Sequence, residues 1–353
     1  QASSLDMMRV MLFILTVVSR AAALHVAVTG ATGRVGALVV RRLLTEGHSV
    51  IAMGRNGEKA KLVLPSYQYT KRLSKEIVFS DLEWREIDFA TASGDEIKNA
   101  CAGANSLIWC ASGFTDKMES IDIRAMAEIP RVFSAATEAD ESQAPQVVMC
   151  SSAGVTRPGW DEEKKARFVG AADIPIIRLN PGGILGQKCV AEETLRRSGA
   201  RYTIVRPTGL KFEGWPQGRP LLSQGDVAVG RTNAVDLSEL LVSMVTEPLA
   251  AGKTFEMFTL AGYPPPRDLG ASLERLRLDA EGPVSEDMVA ATYDALQQLL
   301  PGEEQDATKL EMGRTYEQVD SGTVEARARG AAATEREQEL ASGVASNNGG
   351  EDR

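Results

Sequence analysis

The stretch VTGATGRVG, residues Val28–Gly36, decides the fold of this chain. An apolar segment, HVAVT, leads into it, and a segment with apolar residues at helical spacing, RVGALVVRRLLTEG, overlaps its end. The glycines Gly30, Gly33 and Gly36 follow the pattern G-x-x-G-x-x-G. Between a strand and a helix, such glycines allow a tight turn, a close approach to a pyrophosphate and close helix packing. The stretch therefore predicts a dinucleotide-binding turn.

The turn and the next strand predict which cofactor is bound. Arg55 follows the predicted strand SVIAMG, where an NAD site has an acid for the ribose 2′-hydroxyl. A guanidinium instead suits a 2′-phosphate, so NADP(H) is favoured over NAD(H), with a solvated loop arginine as the alternative interpretation. Arg34 would add a second positive charge. The expected contacts in the turn are Thr29, Gly30, Thr32, Gly33, Arg34, Val35 and Gly36.

Residues after two further predicted strands complete the expected cofactor site. Asp88 lies at the end of the third predicted strand, REIDF, where a carboxylate accepts from the adenine amino group. A turn-forming aspartate is the alternative interpretation. Ala111 and Ser112 end the fourth predicted strand, SLIWCAS, and are expected beside the cofactor.

Alternating strand and helix patterns predict the fold class. They run from His25 to about Gly262 and indicate an α/β fold, a doubly wound parallel sheet of the Rossmann type. The fifth and sixth predicted strands are QVVMCSS and YTIVRP, with a helix over residues 185–198 between them. Residues 24–262 are thus expected to form the NAD(P)-binding domain.

Two segments of this domain are predicted to be loops. Residues 56–80 are polar and read as a loop-rich insertion. Residues 206–220, RPTGLKFEGWPQGRP, follow the sixth predicted strand, where ligands of doubly wound sheets collect. Phe212 and Trp215 are expected to line an apolar pocket there, or to pack beneath the loop.

The ends of the chain are expected to lie outside that domain. Residues 1–23 combine Arg9, an apolar run and an alanine triplet, which is typical of a secretory-type leader; an amphipathic start is the alternative. No stable membrane span is expected once the leader is removed. Residues 263–323 are expected to form a helical extension after a proline connector, and residues 324–353 a disordered tail. The extension helix is predicted to begin after Ser285 and to bury Met288, Val289, Thr292, Leu296 and Leu299.

Composition excludes some classes of function. With 353 residues, of which 43% are hydrophobic, the chain is not disordered as a whole. A net charge of −9 disfavours a nucleic-acid partner, because phosphate binding needs clustered cations. The cysteines form no CxxC pair, and two histidines, His25 and His48, are too few for a histidine-rich zinc site. No metal site is predicted.

Several separated pieces resemble the atypical, NmrA-like branch of the short-chain dehydrogenase/reductase superfamily. They span about Leu24–Thr259 and read VTGATGRVG, AMGRNGEKA, VVMCSSAGV, KCVAEETLRRSGARYTIVRPTGL and TNAVDLSELLVSMV. The resemblance implies an NAD(P)-binding Rossmann domain of oxidoreductase type. Within the branch the chain is similar to plastid and cyanobacterial members, some of which assist photosystem assembly. A plastid location is implied, with the secretory pathway and the cytoplasm as alternatives.

The resemblance also implies a catalytic pattern, which this chain breaks. Enzymes of the family carry a serine after the fifth strand and a Tyr-x-x-x-Lys pair, in which the tyrosine transfers a proton and the lysine holds the nicotinamide ribose. Ser151 and Lys188 occupy two of these positions and are the candidate catalytic residues, and Glu192 follows as the branch expects. Ile184 stands at the tyrosine position and carries no proton.

Two functions remain open from the sequence. The first is an NADP-dependent reductase of a small carbonyl or alkene compound that lacks the family tyrosine. The second is a non-catalytic NADP(H)-dependent regulatory or photosystem-assembly factor that recognises another protein. A Rossmann domain without a ligand is disfavoured, because the glycine turn is intact and Arg55 follows it.

Overall fold

The computed structural model describes residues 23–64, 81–134, 144–261, 263–266 and 268–299. Residues 1–22 of the expected leader over residues 1–23, residues 300–323 of the expected extension and the expected tail over residues 324–353 lie outside these ranges.

Most strands of the described residues belong to one sheet. They are β1 (His25–Thr29), β2 (Ser49–Gly54), β3 (Leu82–Glu86), β4 (Ser106–Trp109), β5 (Val147–Cys150), β6 (Tyr202–Pro207), β7 (Gly209–Lys211), β8 (Gly218–Ser223), β9 (Arg231–Asn233) and β10 (Lys253–Ala261). The main sheet has the order β3-β2-β1-β4-β5-β6-β10-β8, in which only β8 is antiparallel to its neighbour. Strands β7 and β9 form a separate parallel pair. The predicted doubly wound α/β sheet is confirmed, and its order reverses between β1 and β4.

Helices cover both faces of the sheet. They are α1 (Gly36–Glu46), α2 (Gly57–Val63), α3 (Gly94–Cys101), α4 (Ile121–Ser134), α5 (Glu162–Arg167), α6 (Val169–Ala172), α7 (Pro175–Leu179), α8 (Ile184–Arg196), α9 (Ala234–Met244), α10 (Gly270–Glu274) and α11 (Glu286–Gln297). Helices α1 and α9 contribute Val39, Leu43 and Leu240 to one core cluster. Helices α4 and α8 pack together over the other face, where Met126 and Leu195 are buried. Alternate residues of the central strands fill both clusters, as expected for a sheet buried on two faces.

The third strand lies earlier in the chain than the sequence predicts. Strand β3 spans Leu82–Glu86 rather than residues 85–89, and Glu86 pairs with Gly54 at the end of β2. Ile87 and Phe89 are buried beyond the strand, beneath its carboxyl end. The alternation of apolar residues correctly indicated that Ile87 and Phe89 are buried. Strand β3 nevertheless stops at Glu86, because its neighbour β2 ends at Gly54.

Both predicted loops contain regular structure. Within residues 56–80, helix α2 forms because the Asn56 side chain accepts a hydrogen bond from the Lys59 N–H at 2.8 Å. Residues 65–80 lie outside the described residues. Within residues 206–220, strand β7 and the start of β8 leave only residues 212–217 as a loop.

The C-terminal part packs on the sheet domain through a narrower face than predicted. Ser285 caps α11 as predicted, accepting from the Met288 N–H at 3.4 Å. Val289 and Leu296 are buried, whereas Met288 is 51% exposed and Leu299 is 40% exposed. The prediction was wrong for these two residues, because the face that α11 presents to its neighbours is centred on Val289 and Leu296.

Asp279 forms a second, polar connection between the C-terminal part and the sheet. Its carboxylate accepts from the Thr254 N–H at 3.0 Å and the Thr254 hydroxyl at 2.6 Å. The Tyr202 hydroxyl donates to it at 3.0 Å, and Arg196 Nε donates at 3.2 Å. These bonds join residues after β10 to β6, β10 and α8.

Among the described residues, no helix is both long enough and apolar enough to cross a bilayer. Within the same part of the chain, no group of three or more histidine, cysteine, aspartate or glutamate side chains is arranged to hold a metal ion.

Candidate dinucleotide-binding site

The glycine turn is closed too tightly for side chains at two of its positions. Gly30 has φ +60°, and a Cβ there would lie 2.8 Å from Ala111 Cα. A Cβ on Gly36 would overlap the carbonyl oxygen of Gly30. The Gly33 N–H donates to that same carbonyl at 2.8 Å. The turn therefore brings the end of β1, the start of α1 and the end of β4 into contact.

The turn also presents backbone donors without partners. Within the described chain, no hydrogen-bond acceptor lies opposite the N–H groups of Thr32, Arg34 and Val35. These groups immediately precede α1, an eleven-residue helix whose N-terminus carries a partial positive charge. Such a cluster suits the oxygens of a pyrophosphate. The residues present fit a dinucleotide, because a cradle too tight for a Cβ is lined with free amide donors.

Thr29, at the end of β1, is hydrogen-bonded to the residues that follow β4, at the point where the sheet order reverses. Its hydroxyl accepts from the Cys110 N–H at 3.0 Å and from the Ala111 N–H at 3.3 Å. The Ala111 N–H is thus hydrogen-bonded within the protein. Ser112, one residue further on, is exposed. Thr29, Ala111 and the glycine turn meet at one point, as the sequence predicted for a site at this edge.

Arg34 makes a contact that the sequence did not reveal. Its guanidinium lies 3.4 Å from the centre of the Phe212 ring, in the loop between β7 and β8. A guanidinium over an aromatic face is held by the ring's negative face while its N–H groups stay available at the edge. This contact places residues 212–217 against the glycine turn. Trp215 lies elsewhere in the loop, with its ring 5.1 Å from the Arg231 guanidinium.

Arg55 and Asp88 line the same cavity. The cavity has a volume of about 570 Å³ and lies between the ends of β2 and β3 and helix α3. Arg55 is exposed at its rim. One carboxylate oxygen of Asp88 accepts from the Ala90 N–H at 3.0 Å, which is the turn-forming interaction considered as the alternative. The structure brings both residues to one cavity, and Asp88 also shapes its own turn; their contact with the adenosine stays a prediction.

Lys188 forms a buried ion pair near the opposite end. Its Nζ lies 3.2 Å and 3.1 Å from the two carboxylate oxygens of Asp122, which is fully buried. Trp109 Nε1 and the Ser120 hydroxyl each donate to Asp122 at 2.6 Å. An ammonium has three N–H donors, and Asp122 takes two of them. Lys188 therefore keeps one donor for a ligand.

Ser151 donates its proton to a buried carboxylate. Its hydroxyl lies 2.6 Å from Glu192 Oε1, and Glu192 is fully buried. Arg206 binds both oxygens of Glu192, at 3.0 Å and 2.5 Å, and Arg196 binds Oε2 at 2.8 Å. Burial lowers the pKa of Arg206, but the Glu192, Asp226 and Glu256 carboxylates together outweigh it, and the net shift is upward. With two guanidiniums in contact, Glu192 stays an acceptor, so the only hydroxyl proton of Ser151 points toward it.

No side chain replaces the family tyrosine among the candidates. Ile184 is the first residue of α8 and is half-buried. Tyr202 lies at the amino end of β6, where its hydroxyl bonds Asp279, and burial raises its pKa. Tyr263 is 55% exposed and lies after β10. The neighbouring Ser152 hydroxyl donates to the Ala153 carbonyl at 3.0 Å.

A third buried carboxylate lies one strand away from this network. Glu256 of β10 pairs in register with Arg206 of β6 and with Ser223 of β8. The Ser223 hydroxyl donates to Glu256 Oε2 at 3.2 Å. Burial, with a further contribution from the Asp226 carboxylate, raises the pKa of Glu256 to about 7, against the lowering effect of Arg206.

Replacing Glu256 by glutamine should change how stability depends on pH. Folded protein keeps this proton up to about pH 7, whereas the unfolded chain loses it near pH 4.5. The unfolding free energy of the wild type therefore falls as pH rises through this window and levels off above it. Glu256→Gln removes that loss, so between pH 4 and pH 8 its stability relative to wild type should rise by on the order of 2–3 kcal/mol.

Urea unfolding at a series of pH values measures this change. Glu274→Gln is the control, because Glu274 is an exposed glutamate on α10. It should follow the wild-type pH dependence. Parallel curves for Glu256→Gln and wild type would contradict an elevated pKa at Glu256.

Phe212 was expected to line a pocket or pack beneath its loop, but its contact with Arg34 was not predicted. Two site residues escaped the sequence interpretation. Asp122 contacts Lys188 from 66 positions away in the chain, and Arg206 of β6 contacts Glu192 of α8. Only their residue types gave a signal: an aspartate at the start of an apolar helix pattern, and an arginine inside an apolar strand.

The comparisons with known sequences agree with this geometry. A family model described as NAD(P)H-binding matches residues 30–248. The protein TIC 62 of Pisum sativum, a chloroplastic protein, is 30% identical over 241 residues, which are 63% of this chain and 40% of the pea protein. An uncharacterised chloroplastic protein of Arabidopsis thaliana is 27% identical over 256 residues, 70% of this chain and 81% of that protein. The chain thus spans about two fifths of the pea relative's length.

Solved structures show the same fold. The oxidoreductase ylbE of Lactococcus lactis superposes with a TM-score of 0.51 at 17% identity, covering 74% of this chain and 99% of that one. A Bacillus halodurans protein assigned as an NAD-dependent epimerase/dehydratase gives 0.51 at 22% identity, covering 72% and 100%. With the glycine turn, the sheet order and the family match in agreement, the chain belongs to the NAD(P)H-binding family of Rossmann-fold proteins.

Proposed function

We propose that this chain binds NADP(H) and acts as a dinucleotide-dependent regulatory or assembly protein that does not reduce carbonyl compounds. The observation that carries the proposal is the bond from the Ser151 hydroxyl to Glu192. A reductase of the family polarises a substrate carbonyl with serine and tyrosine donors. Here the serine proton is already used, and Ile184 supplies none.

The preference for NADP(H) is supported by charge at the adenosine end of the site. Arg55 stands at the rim of the cavity after β2, where the family places an acid in NAD-binding members. Arg34 lies in the glycine turn and keeps the edge of its guanidinium available. Two cations on one side of the crevice suit a 2′-phosphate in addition to the pyrophosphate.

In the proposed cofactor site, Arg55 and Lys188 lie at the two ends and the glycine turn lies between them. Lys188 would hold the nicotinamide ribose with its remaining donor, while Asp122 keeps its ammonium in place. Bound NADPH supplies a hydride. The protein groups around it bind and orient, but none of those described above carries a proton toward a substrate. Because the matched relatives are chloroplastic, we propose a plastid location, with an unidentified protein as partner.

A reductase is the second candidate. It is favoured by Ser151, which directly follows β5 at the carboxyl end of the sheet, where a substrate would meet the nicotinamide, and by Lys188 of helix α8, which lies near Cys150 at the end of the same strand. A substrate that takes its proton from water needs no tyrosine.

Stopped-flow mixing separates the two candidates. Protein loaded with NADPH is mixed with a panel of quinones, aldehydes and enones, and absorbance of the reduced nicotinamide is followed. We expect no oxidation above the rate of free NADPH, because neither Ser151 nor Ile184 donates a proton to a substrate carbonyl. Turnover with any of these compounds would establish the reductase instead, and calorimetry on the same sample confirms that NADPH is bound.

A further inference from the structure

The loop of residues 212–217 is fixed to the start of helix α9. Strand β7 leads into the loop, and Lys211 at the end of β7 pairs in register with Asn233 of β9. The Asn233 side chain donates to the Trp215 carbonyl at 2.7 Å. Asp236 accepts at 3.0 Å from the N–H of the residue that follows the loop. Both ends of the loop are therefore held by residues at the beginning of α9.

The glycine turn is supported by the same pair of helices. It leads directly into α1, which packs against α9 through a core that includes Leu43 and Leu240. Arg42 of α1 also donates to Glu239 of α9 at 2.8 Å. The loop and the turn are thus carried by two helices that contact each other. The position of the loop against the turn is set by this packing.

The guanidinium of Arg34 keeps its hydrogen-bond donors for a ligand. Within the part of the chain that the structure describes, no oxygen accepts a hydrogen bond from it, and it lies 3.4 Å from the centre of the Phe212 ring. Arg34 is exposed and Phe212 is half-buried. Attraction to a ring face holds a cation without using its N–H groups. These groups remain available to a phosphate, which a guanidinium binds through two parallel hydrogen bonds.

The two aromatic residues of the loop lie against different arginines. Phe212 contacts Arg34 of the turn, whereas the Trp215 ring lies 5.1 Å from the Arg231 guanidinium. An unrestrained arginine side chain loses rotamer freedom when it binds a phosphate. Because the Phe212 ring already restrains Arg34, less freedom is lost and binding is tighter. A contact of this kind at an exposed site corresponds to about a twofold to fivefold change in affinity.

We propose that Phe212 is a positioning residue of the dinucleotide site, whose ring holds the Arg34 guanidinium in place for a phosphate of the cofactor. Coupling between two contacts is reciprocal, so a phosphate that fixes Arg34 also stabilises the loop against the glycine turn. The order of the loop then depends on whether the site is occupied, and Glu213 and Gly214 at its tip are exposed at the protein surface. This inference rests on the proposed binding of NADP(H).

Calorimetric titration of the full chain with NADPH tests the role of Phe212. Phe212→Leu should raise the dissociation constant about twofold to fivefold, and Phe212→Tyr, which keeps the ring, should retain the wild-type value. In an Arg34→Gln background, Phe212→Leu should have no further effect, because the ring then has no guanidinium to hold. A loss that acted only through folding would not depend on Arg34.

Trp215→Leu is the matched control, because it removes the other ring of the same loop. Its effect on NADPH affinity should be the same with Arg34 and with Arg34→Gln, and circular dichroism confirms that each variant folds. Titration with NADH then identifies the phosphate. A loss in Phe212→Leu that is confined to NADPH assigns Arg34 to the 2′-phosphate, an equal loss for NADH assigns it to the pyrophosphate, and both results support the positioning role.

Limited digestion with a glutamyl endopeptidase tests the coupling of the loop to the site. Cleavage after Glu213 is followed by mass spectrometry with and without saturating NADPH. The nucleotide should slow this cleavage by about twofold to fivefold in the wild type, and the slowing should be lost in Phe212→Leu at saturation. Cleavage after Glu281, an exposed residue of the C-terminal part, is the internal control and should not change.

Each contrary result has a defined meaning. Wild-type protein that binds neither NADPH nor NADH would overturn the proposed function. If it binds them, an unchanged dissociation constant in Phe212→Leu, or a loss that persists in the Arg34→Gln background, would overturn the role of Phe212 and leave the cofactor site standing. Equal cleavage after Glu213 with and without NADPH would overturn the coupling of the loop to the site.

Discussion

Gly33→Asp should raise the dissociation constant of NADPH by at least about a hundredfold while leaving the protein folded. Gly33 is exposed in the turn, and its neighbours Thr32 and Arg34 carry unpartnered N–H groups. A carboxylate placed there would repel the pyrophosphate that those groups attract and would compete for their hydrogen bonds. Calorimetric titration with NADPH and NADH measures the loss, and circular dichroism confirms that the sheet is retained.

Two matched variants separate charge from shape. A Cβ at Gly33 would lie 3.0 Å from the Gly30 carbonyl oxygen, so Gly33→Ala should weaken both nucleotides only modestly. Arg55→Gln should weaken NADPH roughly tenfold and leave NADH almost unchanged, since it removes a contact to the 2′-phosphate alone. NADPH affinity retained in Gly33→Asp would show that the turn does not hold phosphate. Equal losses of NADPH and NADH in Arg55→Gln would contradict the assignment of NADP(H).

Glu192→Gln should lower the free energy of unfolding by about 3–5 kcal/mol. Glu192 is fully buried and receives hydrogen bonds from Ser151, Arg206 and Arg196. An uncharged amide offers one acceptor oxygen where two are used, and its NH₂ group meets a guanidinium donor. Arg206 is then left buried with its charge unbalanced, which is far more costly than losing an exposed pair.

Guanidinium-chloride unfolding of both proteins measures this loss. Glu193→Gln is the control, because the adjacent Glu193 is 44% exposed in its ion pairs with Arg196 and Arg197. Glu193→Gln should lower the free energy of unfolding by less than about 1 kcal/mol. A similar small loss in Glu192→Gln would show that the network around Ser151 contributes little to stability, and it would weaken the case that Glu192 holds the Ser151 proton.

The sheet and its glycine turn could be predicted from sequence because they depend on local patterns. Strand β6 lies at the predicted residues, and the turn at Gly30 has the positive φ that its glycine indicates. The register of β3 could not be read locally, because it depends on where β2 ends. Strands β8 and β10 were not predicted as separate strands. Strand β8 pairs antiparallel with β10, which begins 30 residues after β8 ends, so no local pattern indicates the pairing.

Side-chain partners at the candidate site were less accessible to sequence reasoning. The position of Lys188 followed from its spacing, but its pairing with Asp122 joins residues 66 positions apart. A serine at position 151 indicated a proton donor. In the structure the Ser151 hydroxyl donates to the buried Glu192 carboxylate, and its proton is therefore not directed at a substrate. Hydrogen-bond direction is set by the full set of neighbours, which only the folded arrangement supplies.

The bonds of Asp279 determine where this chain can be shortened. The family match ends at residue 248, yet Thr254, Tyr202 and Arg196 all depend on a carboxylate that lies beyond it. Leu273 and Leu276 fill the same core as β10. The cooperative folding unit therefore extends past the boundary that sequence similarity marks. A fragment trimmed to that boundary would expose apolar surface and leave the half-buried Arg196 partly unsatisfied.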